Sequence, residues 1–77
     1  MMELNEFIEN IANLFDETDA NAFTAGTRFH ELAEWSSIIA LSIIAMVDEE
    51  YDVALKGDDI RTAVTIEDLF NAVRLKA

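Results

Sequence analysis

The stretch from Ser36 to Tyr51 restricts the fold of this chain more than any other part. Ile38, Ile39, Leu41, Ile43, Ile44, Met46 and Val47 follow closely on one another, broken only by alanines and Ser42. Wound into a helix, they put apolar side chains almost all the way round it. A chain of 77 residues buries only a modest share of its surface, so it has too little protein to wrap such a helix on every side. Ile39, Ile43 and Val47, with Met46 beside them, are expected to face a core. Ile38, Leu41 and Ala45 then fall on another side, together with Ser42 and Asp48. That second side is either a surface for partners or the floor beneath a neighbouring loop.

The rest of the chain supplies what this helix packs against. Leu4, Phe7, Ile8, Ile11, Ala12, Leu14 and Phe15 recur at helical spacing, while Glu3, Glu6, Glu9, Asn10 and Asn13 fill the opposite face. The pattern predicts one amphipathic helix over roughly residues 3 to 15. Asp16 to Thr27 loses the period and collects Asp, Thr, Asn and the first Gly, which reads as a long loop. A loop of that length needs a function or anchors to the body. Phe23 and Phe29 are the expected tethers, and Trp35 is a third. Ser36 suits the N-cap of the central helix, because its hydroxyl can accept from a first-turn amide. Further on, Gly57 ends a linker and Asp58 to Thr62 make one short helical turn. Thr65 and Asp68 resemble a capping box with Asp in place of Glu, and Val64 and Leu69 are spaced for a hydrophobic staple. Ile66, Leu69, Phe70 and Val73 face inward, and Arg74 and Lys76 suit the negative end of the helix dipole. The sum is an all-α fold, a small bundle of three principal helices and one short one with a long first loop. It forms a single domain over residues 1–77.

Charge and composition exclude several classes of function. The chain carries 16 acidic residues against 5 basic ones, a net charge of −11. Such a surface is repelled by phosphate backbones and anionic lipids, whose binding relies on Lys and Arg, so neither nucleic acid nor membrane is an expected partner. It is steered instead towards proteins with basic patches. An apolar content of 52% together with clear periodicity argues for a folded domain rather than a disordered acidic tail. There is no Cys, which removes disulfides and thiolate metal sites and fits a reducing compartment. The opening Met-Met-Glu-Leu-Asn-Glu is acidic and lacks the layout of a signal peptide. Ile38 to Val47 falls far short of the roughly 18 apolar residues of a membrane span. The expectation is a cytoplasmic monomer.

Residues 34–52 also carry a family resemblance. Trp35-Ser36-Ser37-Ile38, then the apolar helix, then Asp48-Glu49-Glu50-Tyr51-Asp52 resembles the attachment helix of acyl carrier proteins. The signature there is Asp-Ser-Leu, about a dozen mostly helical residues, and Glu-Glu-Phe. The spacing from Ser37 to Tyr51 matches without a gap, Thr65-Ile66-Glu67-Asp68-Leu69 extends the likeness, and it covers about residues 3 to 75. The resemblance implies the acyl-carrier-type helical bundle. It implies that Ser37 receives 4'-phosphopantetheine from coenzyme A through a phosphopantetheinyl transferase, and that the protein is not itself an enzyme. The arm would then hold acyl groups as thioesters and present them to acyl-loading and acyl-processing enzymes of fatty acid, polyketide or related biosynthesis. By the same likeness Ile38, Leu41 and Ala45, ringed by Asp48 and Glu49, form the surface that basic docking patches meet. Ser42 stands where an acid is common.

One position departs from the signature. Ser36 replaces the aspartate beside the modified serine, which keeps a cap and removes a charge. A natural tolerant variant, an engineered change and a relative that is no longer modified all account for it. Two alternatives to the acyl carrier therefore stand: a peptidyl or aminoacyl carrier with the same arm, and an unmodified acidic interaction module with the carrier fold. Serines ahead of helices are usually plain caps, so Ser37 is singled out by the joint match and not by its position alone. His30 is the sole histidine and has no accompanying oxyanion motif, which argues against a hydrolase triad. Asp16-Glu17-Thr18-Asp19 lacks the ligand alternation and central Gly of a calcium loop, and no metal site is expected. Trp35 could shelter a thioester beside Ser37, and Ile44 and Met46 could line a space for an acyl chain, although a methionine among isoleucines is more often core filling.

Overall fold

A computed structural model describes residues 3–77. Met1 and Met2, on which the reading of the acidic N-terminus partly rests, lie outside the described residues. Among those described, the chain forms four α-helices and no strand: α1 (Leu4–Ala12), α2 (Ser37–Tyr51), α3 (Gly57–Thr62) and α4 (Ile66–Lys76). The expected small bundle, with three principal helices, one short one and a long first connection, is the architecture found.

α1 buries Phe7 and Ile11 and is shorter than its apolar pattern predicts. The helix stops at Ala12, and the amides of Leu14 and Phe15 reach back three residues to the carbonyls of Ile11 and Ala12, at 3.0 Å each. Tightening of this kind is common at a helix end and keeps side chains on the same side of the body. Phe15 is therefore buried without belonging to the helix, which is why its spacing was misleading.

The long connection is more ordered than its composition implies. It holds two 3₁₀ turns, Ala20–Ala22 and Phe29–Glu31, the first capped by the Asp19 carboxylate accepting from the Asn21 amide at 2.8 Å. Phe23 and Phe29 are buried as expected, with Phe23 5.0 Å from Phe15 and Phe29 5.2 Å from Trp35, between ring centres. The connection also docks on α4. The amides of Ile66 and Glu67 donate to the carbonyls of Thr27 and Ala25 at 3.1 and 3.0 Å, satisfying two donors that a helix start leaves without an internal partner.

α2 starts where Ser36 caps it, the hydroxyl accepting from the Ile39 amide at 3.3 Å. It stops at Asp52, whose φ of 55° is left-handed, a conformation Asp tolerates better than most residues. Ile43 and Val47 are fully buried, while Ile39 and Met46 are only half-buried against the core. Val53 and Leu55, in the linker, complete that side of the core.

α3 begins at Gly57, one residue before the expected turn, because the Asp59 carboxylate accepts from the Lys56 amide at 2.9 Å and caps it. α4 has the predicted reciprocal cap: the Asp68 amide donates to the Thr65 hydroxyl, and the Thr65 amide donates to the Asp68 carboxylate, both at 3.1 Å. Ile66, Leu69, Phe70 and Val73 are buried. Val64 stays 50% exposed, and its amide donates to the Asp68 carboxylate at 3.2 Å. An ion pair of 3.3 Å between Lys76 and Asp59 ties α4 to α3. No described helix is long and apolar enough to cross a membrane.

Candidate functional site

Ser37 is the first residue of α2 and is exposed. Among the described residues its hydroxyl has no hydrogen-bond partner, and neither does its amide or that of Ile38. Ser36 supplies the cap that Ser37 would otherwise be needed for, which leaves the second hydroxyl uncommitted. The first turn of α2 contains no acid. Free amides and the positive end of the dipole therefore face solvent beside Ser37, an arrangement that favours an anionic group there. A phosphodiester on Ser37 fits these surroundings.

Ser37 also lies at the edge of a groove. It measures about 470 Å³ and runs between the end of the first connection, α2 and α3. Trp35 and His30 form one wall, Ala40, Leu41 and Ile44 of α2 another, and Ile60 with Arg61 the third. The spacing follows from helix geometry, since Ser37, Leu41 and Ile44 lie on one face at successive turns. Of the residues expected to line such a space, Ile44 does so and Met46 does not. Sequence reasoning missed Ile60 and Arg61, whose approach to α2 depends on the turn after Leu55 and has no local signal.

The outer side of α2 resolves the question left open by its composition. Ile38 is 74% exposed and Leu41 66%, so they are not covered by the first connection. Ala45, Asp48 and Glu49 are exposed as well, and Ser42 is half-buried. Two large apolar side chains therefore stand in solvent, with acids about two to three turns further along the same helix.

His30 packs its ring 4.3 Å from Phe29 and 5.0 Å from Trp35, nearly perpendicular to the latter. Among the described residues no hydrogen bond joins it to Ser37 or to a carboxylate, and no three His, Asp or Glu side chains converge as a metal site. At the far end of α2, Tyr51 accepts a hydrogen bond from Asn10 at 2.9 Å and lies 5.8 Å from Phe7. Burial pushes its phenol up, the Asn10 bond partly counters this, and Glu6 and Glu50 add to the rise. Tyr51 thus serves as the joint between α2 and α1.

A feature absent from the sequence reading lies just ahead of Ser37. The carboxylate of Glu34 accepts from the amides of Asp16, Glu17 and Thr18 at 2.7, 3.0 and 3.0 Å, and from the Thr18 hydroxyl at 2.8 Å. Desolvation raises its pKa, but the four hydrogen bonds outweigh that and hold it below the ordinary range.

No family model, curated protein or solved structure matches the chain.

Proposed function

We propose that the protein is an acyl carrier, esterified at Ser37 with 4'-phosphopantetheine. The observation that supports this best is the combination at Ser37: an uncommitted, exposed hydroxyl at an open helix start, bordering an apolar groove. Ser36 holds the helix end, Ser37 offers its hydroxyl, and the unpartnered amides of Ser37 and Ile38 at the same helix start favour an anionic group on it. The arm, when attached, supplies a terminal thiol that carries an acyl group as a thioester. The groove excludes water from an apolar cargo, with Trp35 and Ile44 as walls. Ile38 and Leu41, exposed and followed by Ala45, Asp48 and Glu49, offer partner enzymes an apolar contact with an acidic rim, suited to basic docking patches. A transferase and the acyl-processing enzymes of a cytoplasmic pathway are the partners this reading implies.

The test is intact mass after incubation with coenzyme A and a broad-specificity transferase. One phosphopantetheine should be added, Ser37→Ala should abolish the addition, and Ser36→Ala should not. Addition at Ser36, or none to the wild type, would falsify the reading. One observation favours a second reading, that of an unmodified acidic interaction module. The family's aspartate is replaced by Ser36, which leaves the first turn of α2 without an acid. An unmodified wild type that still binds basic proteins through Ile38 and Leu41 would favour that module.

A further inference from the structure

The clamp at Glu34 is separate from the groove and from the outer face of α2. Its carboxylate gathers three consecutive amides, those of Asp16, Glu17 and Thr18, and one hydroxyl. Converging backbone amides form an anion-binding concavity, here filled by a side chain of the same molecule. The ligand is chosen by hydrogen bonding against charge, since Asp16, Glu17 and Asp19 are all acidic. The three amides and the Thr18 hydroxyl hold Glu34 there.

The clamp acts on the turn that leads into α2. Glu34 is followed directly by Trp35, Ser36 and Ser37. The Trp35 amide donates to the Leu32 carbonyl at 3.0 Å, its ring packs on Phe29, and Ser36 caps the helix. These contacts are all short-range; the Glu34 bonds are the ones that fix this turn to the segment following α1. Losing them has a local cost. Asp16 and Glu17 are exposed, so their freed amides find water, and the buried Phe15, Phe23 and Phe29 are untouched.

We propose that Glu34 is a positioning residue for modification of Ser37, holding the Trp35–Ser37 turn in the pose a transferase requires. This inference rests on the carrier reading and adds to it a residue outside the attachment motif. Docking surface and hydroxyl share α2 but not their distance from the turn: Leu41 sits a full turn inside the helix, whereas Ser37 is its first residue and joins the turn directly. Freeing the turn therefore leaves docking intact and misplaces the hydroxyl, which lowers kcat and leaves KM unchanged. A brace that merely stabilised the fold would lower the melting temperature and leave kcat on folded molecules as it was.

The experiment compares wild type, Glu34→Ala and Glu34→Gln for kcat and KM of phosphopantetheine transfer, at a temperature where circular dichroism shows each to be folded. Glu34→Ala is expected to lower kcat by about 10- to 100-fold, the scale of a small misplacement of reacting groups. Glu34→Gln should fall between. Its carbonyl oxygen can keep the bonds to Glu17 and Thr18, while its NH2 meets the Asp16 amide donor to donor. Emission from Trp35, the sole tryptophan, should shift in the same order in the unmodified protein. A wild-type kcat in both variants would overturn the inference and leave the carrier reading standing. A wild type that accepts no phosphopantetheine would overturn both. Should Glu34→Ala fail to fold, Glu34→Gln decides alone: reduced kcat at unchanged KM supports positioning, and wild-type kcat refutes it.

Discussion

In α4 the residues Ile66, Leu69, Phe70 and Val73 are all buried, leaving Leu75 in the last turn exposed, whereas in α2 only Ile43 and Val47 are buried and Ile38 and Leu41 stand 74% and 66% in solvent. Both helices are capped by a hydroxyl at the preceding residue, Thr65 for α4 and Ser36 for α2. What differs is the account that stability can give of them. Folding explains the apolar pattern of α4, because its side chains fill the core. It does not explain the second side of α2, where apolar groups remain in water. The start of each helix differs in parallel. That of α4 is closed by loop carbonyls, an acidic first turn and a reciprocal cap, and that of α2 is open at Ser37.

Substitution can break this contrast. The largest effect should come from the buried side of α2. Ile43→Ala should destabilise by about 2–5 kcal/mol through the cavity it leaves, measured by urea denaturation; a smaller loss would mean the core collapses around the gap. Next comes the closed start of α4, where Thr65→Ala should cost about 1 kcal/mol as the cap is lost. An unchanged midpoint would show that the docked loop suffices to hold the helix end.

Acid should act on the same capped ends. Hydrogen bonds from the Thr65 and Val64 amides hold Asp68 below the usual carboxylate range. The Lys56 amide does the same for Asp59, against the opposing effect of burial and with help from Lys76, and Glu34 is also lowered. A carboxylate whose pKa is depressed by folding adds stability above its ordinary value, and loses it as pH falls through the folded value. The melting temperature should thus begin to fall below about pH 4, near the ordinary Asp and Glu values. Asp68→Asn should flatten that fall. A variant that titrates like wild type would remove Asp68 from the explanation.

At the open start of α2, Ser36→Asp should stabilise by about 0.3–1 kcal/mol, since it adds a carboxylate beside an uncompensated dipole and retains a cap. Thermal melts at low salt would measure it, and a loss of stability would mean that charge repulsion in this acidic chain prevails. The smallest effect belongs to the exposed side: Leu41→Ser and Ile38→Ser should each change stability by less than about 0.5 kcal/mol. Either substitution should weaken association with a basic partner in a pull-down. A large stability cost would show that this side supports the fold after all.

Local signals carried much of the architecture into the sequence. Thr65 and Asp68, three residues apart, marked the start of α4 because a capping box is a short-range device, and Ser36 marked α2 for the same reason. Periodicity placed Phe7, Ile11, Ile43 and Val47 in the core. It overran the end of α1, since Phe15 is buried from a tightened turn at a spacing that a helix would also give. The Glu34 clamp was invisible, because its partners at Asp16 to Thr18 are distant in sequence and nothing in their composition selects them. The groove was half visible for the same reason: Ile44 follows from α2, whereas Ile60 and Arg61 depend on how α3 is laid against it. The exposure of Ile38 and Leu41 could be posed from sequence as one of two outcomes, and tertiary structure decided between them.

The bonds from the amides of Ile66 and Glu67 to the carbonyls of Thr27 and Ala25 join points half the chain apart. Those two amides cannot exchange with solvent deuterium by local fraying of α4, because the connection that covers them must lift first. That connection is pinned in turn by Phe23 and Phe29, which are buried in the core. The first turn of α4 and the segment from Ala25 to Phe29 should therefore open as one cooperative unit, so that a protease cutting within the connection would loosen the C-terminal helix as well.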